Sequence, residues 1–403
     1  MGDSLILRTH KAGSKIATGV IGVRINLNDS NPATRCEYTD DLEGLTPASW
    51  TATTNGKIAS SNPVLTMIRK VCNFRSCHIA AGDNKVYKYL RPDDWRYYED
   101  GSSAAANMAS TGYNTFTEFP HFFISIVKQG SYLYVKAANK KIDNTFSDWP
   151  FRYNGTVRER HYIGSFLCDV DGNKMHSRAN IAPAVSVSMA NFRTYARAQG
   201  TGYDMWMFSS LVILQVLYLM AFCHTNSQEA VCPGYTGGSA KQNTGLNYNA
   251  AYGEFYRSDV SATSRFRIFG IEDLWGNLYE YCSNIFTVGT TLYVTDYNTA
   301  DSAGSTLATK PFSANYGGYI QTVMGETYFP FVVAEGGASG SATTYYCDYA
   351  GNVGSGYVAI SGGSWSHGAA AGVFRLSVGD GSGGYGGYGS RLVFLCPEVY
   401  NAA

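Results

Sequence analysis

The chain has 403 residues, of which 44 are Gly and 31 are Tyr, and charged residues make up 15%. Its formal net charge of +0 gives no electrostatic basis for binding nucleic acid or an anionic membrane. The hydrophobic fraction of 45% is too high for a disordered chain, and the abundant Gly and Tyr with few charges predict a turn-rich β protein. The length allows a large core and predicts two domains.

Cysteine usage and the N-terminus argue against several classes of protein. The nine cysteines are scattered and include no C-x-x-C, so we expect mostly buried thiols and neither a zinc site nor a redox motif. Residues 1–13 lack a basic stretch followed by an apolar one, which predicts no secretory signal and synthesis in the cytoplasm. Since no nucleophile elbow, H-E-x-x-H or phosphate-binding loop occurs in a strand-to-helix context, we predict no enzyme activity, no cofactor and no metal site.

The first part of the chain is predicted to be β-rich. Residues 1–110 are interpreted as an N-terminal attachment or assembly module, with a strand at 17–27. The small-residue stretch 101–112 is a predicted linker to a second domain over 111–403. Gln129 and Gly130 separate two apolar runs and predict a hairpin turn.

Three further patterns follow along the chain. Residues 169–173 contain part of a calcium-loop pattern but lack its final Glu, so a turn with Gly at positive φ is expected. A helix is predicted over 185–199, capped by Ser186 or Ser188. The apolar stretch 205–223 is long enough to raise a membrane span, but its internal Ser and Gln residues favour a buried core helix without membrane insertion.

Residues 361–394 combine two kinds of position. Bulky residues that can fill a core recur between small or amphipathic residues that bury little. Tyr385 and Tyr388 lie among Gly and Ser, a composition typical of binding loops, because Tyr supplies contact area and Gly and Ser adapt around it. The segment is therefore interpreted as a scaffold that displays a variable surface; a flexible loop without a task is the alternative.

Two motifs resemble one known family. GGSW at residues 362–365, Arg-Leu at 375–376 and GSRLVF at 389–394 resemble the closing segment of the formylglycine-generating-enzyme/sulfatase-modifying family, a branch of the C-type-lectin fold. GIEDLWGNLYEYCSN at 270–284 is similar to its G-x-x-D-x-x-G-N-x-x-E-W signature. The resemblance implies an α+β fold class, with a C-type-lectin-like C-terminal domain after the mainly β module. The residues that we expect to hold this scaffold together are Trp365, Arg375, Asp273, Asn277, Glu280 and Arg391.

The same segment departs from the oxygenases of this family, which carry a cysteine pair there, because residues 361–395 contain no cysteine. What remains resembles the variable proteins of diversity-generating retroelements, including phage tropism determinants. In that group adenine-directed mutagenesis rewrites Asn codons, which can yield Ser, Gly, Ala, Asp, His or Tyr but never Lys, Glu, Gln, Met or Trp. The positions that carry permitted residues, and that form the predicted ligand-binding face, are Ser364, Ser366, His367, Ala369, Ala370, Ser377, Gly379, Asp380, Gly383, Tyr385, Gly387 and Tyr388.

This resemblance implies a hypervariable receptor-binding protein of a phage tail, carried in the virion. Its expected partner is a protein or glycan on the host or target-cell surface. The chain is also expected to form a homo-oligomer, such as a trimer, which allows multivalent display. An enzyme of the sulfatase-modifying type and a cellular surface lectin are the alternatives. Neither E-P-N nor W-N-D occurs, which argues against calcium-dependent sugar binding.

Within the predicted face, Tyr385 and Tyr388 are the expected energetic anchors, since they are its largest side chains. Charging of His367 near pH 6.5 would alter binding. The long polar stretch 288–344 is interpreted as loops and hairpins near the same face and is the alternative location of the binding site.

Overall fold

The computed structural model describes residues 18–312, 317–351 and 357–401. The first 13 residues, on which the prediction of no signal rests, lie outside these ranges. The described residues form five α-helices, namely α1 (Pro63–Val71), α2 (Ala105–Met108), α3 (Met189–Arg197), α4 (Phe208–Phe222) and α5 (Ser227–Ala230). Two 3-10 helices cover Trp149–Phe151 and Gly368–Ala370.

Strands dominate the described chain. The strands before α3 are β1 (Val20–Asn26), β2 (Cys36–Asp40), β3 (Gly56–Lys57), β4 (Arg75–Ala80), β5 (Val86–Arg91), β6 (Asp94–Tyr98), β7 (Tyr113–Pro120), β8 (Phe123–Gln129), β9 (Tyr132–Ala138), β10 (Phe146–Ser147), β11 (Arg152–Tyr153), β12 (Thr156–Val157), β13 (Arg160–Leu167), β14 (Asp169–Asp171) and β15 (Lys174–His176). The strands after α3 are β16 (Tyr203–Met205), β17 (Tyr256–Arg257), β18 (Phe266–Ile268), β19 (Ile271–Glu272), β20 (Tyr279–Val288), β21 (Thr291–Ala300), β22 (Ala303–Pro311), β23 (Gly318–Tyr319), β24 (Tyr349–Ala350), β25 (Val358–Ser361), β26 (Leu376–Asp380), β27 (Tyr388–Gly389) and β28 (Arg391–Leu395).

The described strands form three larger sheets. One has the order β10-β8-β9-β1-β2, and a second has the order β16-β28-β13-β7-β4-β5-β6. The third has the order β22-β21-β20-β25-β26, with β27 parallel to the start of β20. This third sheet brings three segments that are far apart in sequence, β20, β25 and β26, side by side.

The second sheet joins distant parts of the chain. Strand β4 pairs with β7, β7 pairs with β13, and β13 pairs with β28 near the C-terminus. Residues on both sides of position 110 therefore share one sheet, while the division into domains at that position stays a prediction. The predicted linker at 101–112 contains α2, whose Met108 is fully buried, because this small-residue stretch packs under β7 rather than spanning open solvent.

Helix α4 lies in the core, as the sequence predicts for residues 205–223. Every one of its residues is buried, including Gln215, whose amide donates to the carbonyl of Val373 (Nε2–O 3.0 Å). A helix that is apolar on all sides is stable only when neighbouring elements surround it. Among the described helices, none combines the length and apolar character needed to cross a membrane.

The predicted α+β class, with its C-type-lectin-like domain, is wrong. Strand accounts for 39% of the structure and helix for 13%, so the protein is mainly β. The helix expected over 185–199 covers only Met189–Arg197, while the stretch from β20 to β22 forms three strands of nine or ten residues. The stretch 288–344 was interpreted as loops and hairpins, and it contains the long hairpin of β21 and β22. The many partly or fully exposed residues of β22 obscured its β pattern.

Several local predictions are confirmed. Gln129 ends β8 and Gly130 adopts a φ of 59° in the turn to β9. Gly172 (φ 57°) and Asn173 (φ 60°) connect β14 with β15. Ser188 caps α3 by accepting a hydrogen bond from the Asn191 amide (3.2 Å). All nine cysteines lie in the described ranges, buried and unpaired.

Candidate binding cavity in the C-terminal segment

A buried ion pair fixes the sheet beside the C-terminal segment. Arg391 on β28 contacts both carboxylate oxygens of Glu280 on β20 (Nε–Oε2 3.1 Å, Nη2–Oε1 3.0 Å). Arg391 also donates to the carbonyls of Gly164 and Glu272, so its guanidinium is well satisfied although fully buried. Burial raises the pKa of the Glu280 carboxyl, and the adjacent guanidinium opposes that rise.

A second buried cluster holds the turn before β20. Arg265 pairs with Asp273 (Nε–Oδ1 3.0 Å), and the Asn277 amide donates to the same carboxylate (Nδ2–Oδ2 3.2 Å). Burial raises the pKa of Asp273 to about 6, against the lowering effect of Arg265. The carbonyl of Asn277 accepts from the Trp365 amide (3.1 Å), which ties this turn to the C-terminal segment. Asp273, Asn277, Glu280 and Arg391 thus lie where a structural role requires them.

Beside this scaffold lies a cavity of about 500 Å³, referred to below as the C-terminal cavity. Seven of the twelve predicted variable positions line it, namely Ser364, Ser366, His367, Ser377, Asp380, Gly387 and Tyr388. The other lining residues are Tyr279, Gly317, Tyr349, Gly351, Ile360, Trp365 and Arg375. The seven variable positions, which span residues 364 to 388, therefore meet around one concave surface with residues from as far away as Tyr279.

Trp365 and Arg375 differ from their predicted place in the scaffold. Trp365 is half-buried and forms part of the cavity wall, because the short segment that follows β25 turns it outward from the core. Arg375 is buried, as expected of a scaffold residue, but it also reaches the cavity. Its guanidinium donates to the Ala370 carbonyl (Nη1–O 2.7 Å) and to the Tyr279 hydroxyl.

The glycine–tyrosine loop (residues 381–387) is anchored through its main chain. The Ser186 amide donates to the carbonyl of Tyr385 (2.9 Å), and the Met189 amide donates to that of Ser382 (3.0 Å). The Tyr279 amide donates to the carbonyl of Gly387 (3.0 Å), and the buried Tyr281 hydroxyl donates to that of Gly383. Because these contacts use loop carbonyls, they hold the loop whatever side chains it carries.

Aromatic rings form much of the cavity wall. The Tyr279 ring meets His367 edge to face at 4.6 Å and Tyr388 at 5.3 Å between ring centroids. Tyr385 lies 5.0 Å from Tyr388 at the rim and is 45% exposed, so it offers a large surface to a partner. Tyr388 also donates its hydroxyl to Asp380 (OH–Oδ2 2.9 Å), which orients both side chains.

His367 is held as a neutral ring. The Ser364 amide donates to Nδ1 (3.2 Å), and the Ser364 hydroxyl lies 2.9 Å from the same atom. Since a main-chain amide can only donate, Nδ1 is the acceptor and the ring proton belongs on Nε2. Burial, reinforced by the nearby Arg375 charge, lowers the pKa of His367 to about 4. The change of charge expected near pH 6.5 is therefore wrong for this residue.

The other five predicted positions lie outside the cavity lining. Ala369 and Ala370 belong to the 3-10 helix, and Gly383 and Tyr385 belong to the glycine–tyrosine loop. Gly379 is buried in β26 with a φ of 87°, a backbone conformation that residues with a Cβ rarely adopt. It is consequently a poor position for variation, although its residue type is one that Asn codons can yield.

Sequence reasoning missed the part of the wall that lies outside the predicted variable positions, above all Tyr279 and Tyr349. Gly317 beside β23 reaches the cavity from the stretch 288–344, where loops and hairpins near the binding face were predicted, whereas Tyr349 on β24 lies beyond that stretch. Tyr279 directly precedes Glu280 in the signature motif, so an aromatic residue next to a structural carboxylate was the available signal. Among the described residues, no three His, Cys, Asp or Glu side chains are grouped to hold a metal ion.

Comparisons with known proteins give little further information. The sequence matches no family model and no curated protein. Solved structures that resemble it include the Major Tropism Determinant P3c variant (TM-score 0.31, 16% identity, covering 87% of this chain and 84% of that one) and the M1 variant (TM-score 0.30, 15% identity, 87% and 83%). The U1 variant has a TM-score of 0.29 at 14% identity over 80% and 72%. These names agree with the class predicted from the sequence, the formylglycine-generating branch is not confirmed, and similarity this low defines neither fold nor function.

Proposed function

We propose that the chain is a receptor-binding protein of a phage tail, whose C-terminal segment is diversified by a retroelement. The observation that carries the proposal is the convergence of seven permitted positions on one cavity. The bulky residues between them, among them Val373, Phe374 and Val378, are buried. A segment that alternates in this way keeps its fold while its binding surface changes.

The anchoring of the glycine–tyrosine loop supports this proposal. A hypervariable site needs a backbone that stays in place when side chains are replaced. Here the loop carbonyls of Ser382, Gly383, Tyr385 and Gly387 carry the contacts. Replacement of Tyr385 or Tyr388 would therefore alter the ligand preference more than the fold.

The alternative of a sulfatase-modifying enzyme needs a reactive thiol, since the thiolate is the nucleophile and the metal ligand. The candidates are Cys282 and Cys347, and both are buried. Burial raises the pKa of the Cys282 thiol well above its ordinary value and that of Cys347 to about 12. These environments favour the inert, protonated thiol and hence a binding protein rather than an enzyme.

The proposed setting is a virion in which several copies of the chain, arranged as a trimer, face the surface of a target cell. Weak contacts at one cavity then add up through effective concentration. The partner is a protein or glycan of that surface, and a cellular surface lectin is the alternative setting. Analytical ultracentrifugation of the purified chain tests the trimer, and a monomer would contradict it.

Sequencing of the neighbouring DNA tests diversification. We expect a reverse-transcriptase gene and an adenine-rich near-copy of the segment that encodes residues 361–394. Mismatches between the two copies should fall on codons for the predicted variable positions and spare those for Val373, Phe374 and Leu392. An isolated gene with no such copy would contradict diversification and leave receptor binding to be judged separately.

Binding to cells tests the receptor-binding role. The labelled protein is screened on a panel of bacterial strains, and the double variant Tyr385→Ala/Tyr388→Ala is then compared on a strain that binds. We expect a loss of well over 30-fold, because a single aromatic anchor of about 2 kcal/mol already corresponds to about 30-fold and the double variant removes two. The matched control is Tyr87→Ala, since Tyr87 is 49% exposed but lies on β5, away from the cavity. Undiminished binding by a double variant of unchanged Tm would place the site elsewhere.

A further inference from the structure

We propose, on the basis of the receptor-binding function above, that the C-terminal cavity binds the terminal one or two sugar residues of a neutral glycan. Three properties of the cavity lead to this ligand class: its shape, its charge, and the alternation of hydrogen-bond donors and acceptors along its wall.

The shape favours a small group over a flat protein surface. A volume of about 500 Å³ lies within the range of small-molecule sites, about 300–1,000 Å³. Rings of Trp365, Tyr279, Tyr349 and Tyr388 line the wall, and those of Trp365 and Tyr388 are not covered by Arg375, so these two are the ones that can stack on a ligand. Sugar rings have one face rich in C–H groups and an edge of hydroxyls, which matches a wall of aromatic faces and polar groups.

The charges in the wall balance. Among the described residues that line the cavity, Arg375 and Asp380 carry the formal charges, and His367 is neutral above a pKa of about 4. Arg375 is 5% exposed and its Nη atoms already donate to the Ala370 carbonyl and the Tyr279 hydroxyl. Its Nε has no hydrogen-bond partner among the described residues, but at 5% exposure the side chain presents little surface to an acidic ligand, and Asp380 in the same wall would repel such a ligand.

A cationic ligand fits no better. The Arg375 guanidinium lies 5.1 Å from the centroid of the Tyr279 ring and 5.5 Å from that of Tyr349. The protein's own cation thus already uses the aromatic faces that would otherwise attract a ligand cation. Repulsion by this buried guanidinium disfavours a second positive charge in the cavity.

Donors and acceptors alternate in the wall. His367 Nε2–H has no hydrogen-bond partner among the described residues, and the Tyr279 hydroxyl, which accepts from Arg375, keeps its own hydrogen to donate. Asp380 accepts from the Gly381 amide (2.7 Å) and from Tyr388 (2.9 Å), which leaves two of about four lone-pair sites for a ligand. A hydroxyl both donates and accepts, so a polyhydroxylated ligand can satisfy this wall.

A glycan array tests the proposal directly. The full chain is applied to immobilised neutral saccharides and to sialylated, uronic-acid and sulfated ones. We expect saturable binding to a subset of neutral saccharides that the corresponding free monosaccharide displaces at millimolar concentration. Binding to acidic saccharides alone, or to none of the array, would overturn the inference.

Two variants locate the binding in the cavity. Ser366 is exposed and lines the cavity, whereas Ser131 is exposed in the turn between β8 and β9 and belongs neither to the lining nor to the predicted face. Ser366→Trp should fill the cavity and reduce glycan affinity about tenfold or more, while Ser131→Trp, the same substitution outside the cavity, should leave it unchanged. Equal effects of the two variants, at unchanged Tm, would remove the cavity from the binding site.

Treated cells separate this inference from the proposed function. Periodate oxidation of a bound strain should abolish binding, with or without sensitivity to protease; protease sensitivity in addition would indicate a glycoprotein rather than a polysaccharide. Binding that is lost after protease but survives periodate would refute the glycan and leave the receptor-binding role intact, as would binding that survives both treatments. If Ser366→Trp and the Tyr385/Tyr388 double variant both bind untreated cells normally, the binding site lies elsewhere and the glycan inference fails, whereas a failure of the unaltered chain to bind any strain of the panel would contradict the proposed function.

Discussion

The buried ion pair below the C-terminal cavity and the glycine–tyrosine loop above it are held in opposite ways. Arg391 and Glu280 fix their strands through charged side chains that lie fully inside the protein. The loop is fixed through its own carbonyls, so these bonds do not depend on its side chains. Removal of a side chain should therefore damage the first region strongly and the second slightly, which is the division of labour that a variable binding surface requires.

The largest effect is expected for Arg391→Ala. The change leaves Glu280 buried without its partner and orphans the carbonyls of Gly164 and Glu272, so unfolding free energy should fall by about 3–5 kcal/mol. Urea denaturation measures this loss. The matched control is Arg24→Ala, which breaks a surface pair with Glu37 and should alter the urea midpoint little. Similar losses in the two variants would mean that the buried pair is not what holds this sheet.

Trp365→Ala should have an intermediate effect. A fully buried aromatic side chain costs about 3–5 kcal/mol when truncated, and Trp365 is half-buried, so about 2 kcal/mol is expected. Ser366→Ala, at the adjacent exposed position, should change stability by less than about 0.5 kcal/mol. Differential scanning calorimetry compares the two. A loss of about 4 kcal/mol for Trp365→Ala would mean that Trp365 is a fully buried scaffold residue and not part of the cavity wall.

Gly379→Ala should cost about 1–2 kcal/mol. The φ of 87° at Gly379 is unfavourable for a residue with a Cβ, even though Ala is a residue that Asn codons can yield. Gly387→Ala is the matched control, because its added Cβ would lie 3.6 Å from Trp365 in ordinary contact. If Gly379→Ala proves as stable as Gly387→Ala, backbone conformation does not limit which positions can vary.

The C-terminal segment also shows which features could be predicted from the sequence and which could not. The apolar character of the bulky residues correctly placed Val373, Phe374 and Leu392 in the core, although Val373 and Phe374 lie in the turn before β26 and only Leu392 lies on a strand. The meeting of Ser364, Ser377 and Tyr388 in one cavity depends on β20, β25 and β26 lying side by side, a pairing that the local pattern of one segment does not encode. The residue type of Gly379 also did not reveal that its φ is positive and unfavourable for other residues.

The fold class was predicted wrongly for a related reason. The length and apolar character of residues 205–223 predict a helix, and α4 lies within this stretch. The two-residue strands and the long hairpin of β21 and β22 carry many polar residues and form only through pairing with neighbours. Local propensity is a weak guide to such strands, since their stability comes from cross-strand contacts.

The smallest effect is expected when the pH is changed in a binding assay. This measurement tests whether His367 is buried in the cavity wall. The pKa of His367 is lowered from its ordinary 6.5 to about 4, first by burial and then by Arg375. The ring thus stays neutral in the folded protein between pH 7.5 and 5.5, and binding to a responsive strain should be constant over that range. Below about pH 4.5 the ring takes up a proton beside Arg375, and affinity should fall.

The lowered pKa of His367 also sets how this residue affects stability as the pH changes. As the pH falls, the unfolded chain takes up a proton on His367 near pH 6.5, before the folded chain does. The contribution of His367 to the free energy of unfolding is therefore fully present above pH 6.5 and declines as the pH falls towards 4. His367→Gln should lack that contribution, which a comparison of urea midpoints at pH 7.5 and 4.5 measures. An NMR titration of the His367 ring gives the pKa directly. A midpoint near 6.5, with binding that changes in step, would mean that His367 is exposed like the loop above it and belongs to the displayed surface.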